Sequence, residues 1–222
     1  MASAEEFLEA VKAGDRERVS ELLRDDPSLA GSRNAKGESA ILMAAYRSRS
    51  DLVELLLASN AEWDIFEAAA TGQAEQVGSL VAKDPGLVNT FATDGFTPLG
   101  LASFFGHKEV AEILLAHGAA VNLPSSNEMK VVPLHSAAAG RHTAIVRLLL
   151  EHAADPNARQ RSAFTALHSA AHNGEAEMVE LLLSYGAEIN ARSDENLTPL
   201  RLAQDRGHTA VADLLRAYGG QS

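Results

Sequence analysis

Eight histidines are the side chains in this sequence best suited to acid–base or metal chemistry: His107, His117, His135, His142, His152, His168, His172 and His208. Imidazole changes charge near neutral pH and is a common metal ligand. The spacing assembles neither chemistry. No HExxH pair sets two imidazoles on one helical turn, and neither a GxSxG nucleophile nor a glycine-rich phosphate loop accompanies them. The acidic pairs Asp25-Asp26 and Asp194-Glu195 stand in loop-like sequence and read as turn formers before general acids. Cysteine is absent, which excludes thiolate nucleophiles, disulfides and cysteine-based zinc sites. What remains is hydrogen bonding and contact, so the expectation is a protein with no catalytic residue, no metal and no cofactor.

The elements that position these residues follow from a repeat. "VPLHSAAAGRHTAIV" (132–146) returns as "TALHSAAHNGEAEMV" (165–179), offset by 33 residues. "TPLGLASFFGHKEVA" (97–111) and "TPLRLAQDRGHTAVA" (198–212) have the same form, and weaker copies start at Phe7, Ser39 and Asp64. The equivalent turn position falls at Gly14, Ser48, Gly72, Gly106, Arg141, Gly174 and Gly207, in steps of 34, 24, 34, 35, 33 and 33. A fixed period of this length marks a stacked array rather than a closed globule. Each unit reads as two short helices. The first is small and alanine-rich, as at Ala170-Ala171, and the second carries apolar residues at helical spacing, as at Met178, Val179, Leu181, Leu182 and Leu183. Asn60, Gly118 and Gly186 follow second helices, where a left-handed stop costs little, and Ala153 takes that slot once. Polar loops then open at Asn89, Asn122, Asn157 and Asn190.

Thr97-Pro98-Leu99, Pro133-Leu134-His135, Leu167-His168 and Thr198-Pro199-Leu200 resemble the Thr-Pro-Leu-His signature of the ankyrin repeat, over roughly residues 5 to 219. The resemblance implies an all-α solenoid, an ankyrin array of helix–turn–helix pairs with short β-hairpin fingers between them. As a single domain, 1–222, it divides into an N-terminal capping repeat at about 3–36, five repeats at about 37–62, 63–94, 95–129, 130–162 and 163–195, and a C-terminal cap at about 196–220. The family pattern also gives most histidines a structural place. His135 and His168 fall at the signature imidazole, which ties a turn to the next loop. His107, His142 and His208 follow the turn position. His117 and His152 sit near the ends of second helices, where a cation suits the helix dipole. Only His172 is left over.

The step of 24 residues is the departure. Only "ASNAEWD" (58–64) separates Leu57 from Ile65, too little for a projecting hairpin, so the finger between the second and third repeats is expected to be missing. Trp63, the only tryptophan, stands there. It either fills the vacated space or lines a recognition surface.

The family's partners usually bind the concave face, and the two residues before each turn position face that groove. "LASFFGH" (101–107) puts Phe104 and Phe105 in the middle of the strip, with small residues on both sides at Ala70, Thr71, Ala139 and Gly140. Clustered exposed aromatics bury large area at little entropic cost and mark partner sites; the other reading is that both rings are structural. The candidate partner-contact residues are Tyr46, Arg47, Phe91, Phe96, Phe104, Phe105, Arg159, Arg161, Phe164, His172, Asn173 and Arg206. Acidic residues such as Glu109, Glu112, Glu177 and Glu180 mark the second helices, whereas Arg33, Lys36, Arg47, Lys130, Arg159, Arg161, Arg192 and Arg206 lie on fingers and groove. That rim either steers an acidic partner or is solvated charge without a specific role.

A net charge of -11 argues against a nucleic-acid partner, because phosphate neutralisation by Lys and Arg carries that affinity. The N-terminus, "MASAEEFLEAVKAGD", is acidic and amphipathic without a signal-peptide pattern, and no apolar run is long enough to span a bilayer. The expectation is a cytoplasmic, monomeric, non-enzymatic module that binds a protein partner and no membrane. The alternatives are a small-molecule-binding protein or enzyme with a site at the notch near Trp63, and an element that homodimerises.

Overall fold

The computed structural model describes residues 3–59 and 61–222, so the helix stop expected at Asn60 lies outside the described residues. Seven helix pairs follow one another. They are α1 (Ala4–Ala13) with α2 (Arg16–Asp25), α3 (Ala40–Tyr46) with α4 (Ser50–Leu57), α5 (Ile65–Ala70) with α6 (Ala74–Lys83), and α7 (Pro98–Phe105) with α8 (Lys108–Ala116). Then come α9 (Pro133–Ala139) with α10 (Thr143–Glu151), α11 (Ala166–Asn173) with α12 (Ala176–Ser184), and α13 (Pro199–Asp205) with α14 (Thr209–Ala217). First helices pack on first helices, and second helices on second helices except that α4 and α6 scarcely meet, which makes the chain an all-α solenoid. The stacking has a simple cause: a helix of six to ten residues is too short to persist alone, so packing against neighbours supplies its stability.

Local chemistry sets the helix ends. Thr97 and Thr198 accept the N–H of Gly100 and Arg201 at 3.0 and 3.1 Å, and Pro98 and Pro199 occupy the first turn, where a missing N–H costs nothing. Asp64 and Glu67 form a reciprocal capping box on α5. Gly106 ends α7 at φ 88, and the His142 imidazole lies so close above it that a Cβ would stand 2.5 Å from the ring. Positive φ and a roofing ring both require glycine there. Ala153 adopts φ 64 in the slot that Gly118 and Gly186 fill elsewhere.

The loops expected as β-hairpins differ in kind. Among the described residues they contain no named strand and one isolated antiparallel bridge, Arg33 to Ser39. Turn bonds close them instead, from Asn34 to Glu38, Ala92 to Phe96, Ser125 to Val131, Gln160 to Phe164 and Ser193 to Leu197, at 2.8–3.0 Å. A few residues per arm are enough for a turn but not for a ladder.

The core divides at the shortened step. Phe7, Val11, Leu22, Ile41, Leu52, Leu56 and Trp63 belong to one apolar cluster, while Ile65 through Leu99, Leu149 and Leu182 to Leu215 belong to another. A small third cluster of Leu42, Ala70, Ala92 and Leu101 bridges them. Trp63 is 7% exposed within the first cluster. Of its two readings, filling the space is the one observed.

Ser103, on the buried face of α7, has a hydroxyl with no hydrogen-bond partner. An unsatisfied buried polar group costs about 1–3 kcal/mol. Ser103→Ala removes it with little change in volume, and urea unfolding is expected to show a gain of about 1 kcal/mol.

Candidate functional site

Three rings meet across the end of α5, where Ala70 and Thr71 are small. Tyr46 at the end of α3 leans past α5 to the end of α7, with its centroid 6.3 Å from Phe104 and 5.2 Å from Phe105. Phe104 and Phe105 meet edge to face at 5.2 Å. Such geometry is worth about 0.5–1.5 kcal/mol per pair beyond area burial. Tyr46 is 42% and Phe104 39% exposed, while Phe105 turns half inward against the bridging cluster. The adjacent phenylalanines thus divide the work, one ring outside and one on the boundary. Phe91 is exposed on the neighbouring loop, and Phe96 is half-buried against the bridging cluster.

The Tyr46 hydroxyl donates to Asp94 Oδ2 at 2.6 Å, joining the second repeat to the loop before α7. Burial and this bond to a carboxylate push the phenol well above its ordinary range. Thr93 of the same loop meets Gly37 of the first loop, closing the interval that the missing finger leaves. Beside the rings lies an open cleft of about 410 Å³. Val53, Glu54 and Leu57 of α4 form one wall, and Ala70, Thr71, Phe105 and His107 the other. Trp63 is not among its walls, so the notch is beside Phe105 rather than near the indole.

The remaining candidates are held in the scaffold to differing degrees. Arg159 pairs with Glu188 at 3.4 Å and Arg161 with Glu128 at 3.1 Å, both exposed ion pairs between successive loops. Pairs of that kind contribute at most about 1 kcal/mol. Phe164 stacks on His168 at 4.8 Å and is half-buried. Asn173 donates to Ala138 O at 3.4 Å, and His172 supplies its backbone carbonyl to His208. Arg47 donates to Met43 O of its own helix and, like Arg206, is exposed. Burial, with Arg206 and His208 nearby, holds the half-exposed His172 imidazole below its ordinary pKa.

Most histidines prove to be fasteners. His135 and His168 each accept a backbone N–H at Nδ1, from Val132 and Thr165, and donate from Nε2 to Ala158 O and Leu197 O in the next loop. This requires the neutral ring. His107, His142 and His208 donate to Ala70 O, Phe104 O and His172 O of the preceding repeat, each at 3.0 Å. Burial lowers the pKa of His107, His135 and His168 despite these carbonyl bonds, which act the other way.

Sequence reading missed three features. Arg33 bonds Glu67 at 2.8 Å and Asp64 at 3.0 Å, and the Glu67 side chain is 3% exposed. Burial raises the Glu67 pKa against these bonds. The Asp-x-x-Glu spacing at 64–67 signals the cap, but nothing local signals the arginine. The second feature is the Tyr46–Asp94 link, which spans 48 residues. The third is an asparagine ladder. Asn89, Asn122, Asn157 and Asn190 each donate to a carbonyl of the next unit, at Gly118, Ala153, Gly186 and Gly219, and accept an N–H two residues further on.

Comparison with known proteins gives the same architecture. The family described as Ankyrin repeats (3 copies) matches residues 65–160, and Ankyrin repeats (many copies) matches 149–203. SMC5-SMC6 complex localization factor protein 1 of Bos taurus and that of Homo sapiens are each 32% identical over 111 residues, which is 46% of this chain. The match spans 10% of those relatives' own length.

Proposed function

We propose, from the premise that this chain belongs to the ankyrin-repeat family, that it is a non-catalytic module docking a protein partner on its concave face, with Tyr46, Phe104 and Phe105 as the anchor. Ankyrin repeats are generally protein-interaction modules. The observation that carries the assignment is the exposed ring cluster. The ring contacts add to the stability of the fold, and the faces they leave exposed are of the kind in which an interface concentrates its binding energy. Lys36 and Arg47 are exposed beside the cluster, and Lys130 and Arg206 further along the same face. On a chain of net charge -11 they favour an acidic partner. The name of the SMC5-SMC6 relatives, a complex localization factor, is compatible with such a docking role. No helix among the described residues is long and apolar enough to cross a membrane.

Affinity capture from the source cell tests the reading. Phe104→Ala with Phe105→Ala is expected to lose the partners that wild type retains, with about a hundredfold loss of affinity for two anchor residues. Phe105 also packs inward, so Phe104→Glu, at the more exposed position, serves as the variant with the smaller folding cost. A folded double variant that captures every wild-type partner would falsify the assignment.

A further inference from the structure

Three ties recur between successive repeats, and one junction lacks them all. The first is the backbone bond from loop to loop: Ser126 N–H to Gly95 O, Arg161 N–H to Met129 O and Asp194 N–H to Ser162 O, at 2.8–3.0 Å. The second is the side chain after each turn position reaching the preceding repeat. His107, His142 and His208 do this, and Arg49 does it to Gly14 O. The third is the asparagine ladder, whose first rung is Asn89.

Between the second and third repeats no loop projects. The side chain after the turn is Gln73, which bonds Thr71 O in its own repeat. The asparagine ladder has no rung here among the described residues: its first, Asn89, joins the third repeat to the fourth. The apolar core is divided at this same place, and the cleft of about 410 Å³ opens along it. Side-chain bonds do cross the junction, from Arg33 to Asp64 and Glu67 and from Tyr46 to Asp94, and Gln76 of α6 donates to the carbonyl of Trp63, whose indole lies in the first cluster.

We propose that the array opens at this seam, with α1–α4 moving or unfolding as one unit apart from α5–α14, and that each opening takes the ring patch apart. Tyr46 lies on one side and Phe104, Phe105 and Asp94 on the other. A partner seated on all three rings therefore holds the seam closed, and a change that opens the seam releases the partner. This regulatory consequence rests on the docking assignment above; the opening itself does not. A solenoid is a sum of repeat stabilities and interface terms, so its weakest interface sets where it parts.

Native-state hydrogen exchange on the whole chain, with no partner present, tests the opening. The amides of α1–α4 are expected to share one protection level, at least about tenfold below that of α7–α12, with a step at the seam. Tyr46→Phe deletes the hydroxyl bond to Asp94 and is expected to speed exchange across all four helices by about fivefold, the effect of one hydrogen bond of ordinary net strength. Gln73→His installs the missing fastener, aimed at the Tyr46 carbonyl by analogy with His107 on Ala70, and is expected to slow them by a similar factor. Exchange of α1–α4 in step with α7–α12 would overturn the proposal. So would a gradient from α4 out to α1 that neither variant moves, since that is end fraying. Uniform exchange combined with loss of capture in the phenylalanine variants would leave the docking site standing and remove only its regulation.

Discussion

His168→Ala is expected to lower the unfolding free energy by about 3–5 kcal/mol, among the larger effects a single substitution has. The imidazole is fully buried and makes three polar contacts. Its Nδ1 caps the Thr165 N–H at 3.1 Å and lies 2.9 Å from the Thr165 hydroxyl, and its Nε2 donates to Leu197 O at 3.1 Å. Truncation removes these bonds and leaves a backbone donor and a backbone acceptor stranded away from water, at about 1–3 kcal/mol each. It also removes the ring on which Phe164 stacks. Because one of the lost bonds, to Leu197 O, runs from the sixth repeat to the loop of the seventh, the damage is directional. Exchange protection is expected to fall first in α13 and α14, with α7–α10 nearly unchanged. His117→Ala is the matched control. That ring is exposed and bonds only Ile113 O within its own helix, so its removal is expected to cost less than about 0.5 kcal/mol. A His168→Ala loss below about 1 kcal/mol in urea unfolding would show that the signature imidazole is not the fastener its geometry describes.

The contrast between those two histidines explains how much of the molecule is legible in its sequence. The solenoid follows from the period, because every unit must bury the same apolar positions against its neighbour. Phe104 and Phe105 are legible as an exposed and a boundary ring, because adjacent helical residues point about 100° apart. What the sequence does not display is pairing at a distance. Arg33 reads as a surface cation, yet it neutralises the buried Glu67. Arg159 and Arg161 read as free rim charges, yet both are paired across successive loops. Tyr46 reads as one of seven groove positions, yet it reaches past the third repeat to Asp94 and the two phenylalanines, beside the place where a loop is missing. A deletion acts on the residues flanking it, and their new contacts have no local signature.

Stability should fall on mild acidification, by as much as about 4 kcal/mol per pH unit below pH 6.5. The sign follows from three rings. Burial lowers the pKa of His107, His135 and His168 in the folded chain, while in the unfolded chain each titrates near its ordinary 6.5. Between the lowered and the ordinary values the unfolded chain binds protons that the folded chain refuses. The stability is therefore fully present above 6.5 and is lost as pH falls toward the lowered values. Each of these rings contributes at most about 1.4 kcal/mol per unit, and three together give that figure; the more exposed His172, also lowered, acts in the same direction. Glu67 opposes them. Burial raises its folded pKa above 4.5, so its contribution is present at low pH and is lost as pH rises through the raised value. One opposing carboxylate cannot cancel three imidazoles. Urea midpoints taken from pH 7.5 to 5.5 are expected to fall steeply, and His107→Gln should remove about a third of the slope, because glutamine can donate to Ala70 O without titrating. A flat profile over that range would mean that the rings accept protons without leaving their carbonyls, and the reading of them as neutral fasteners would fail.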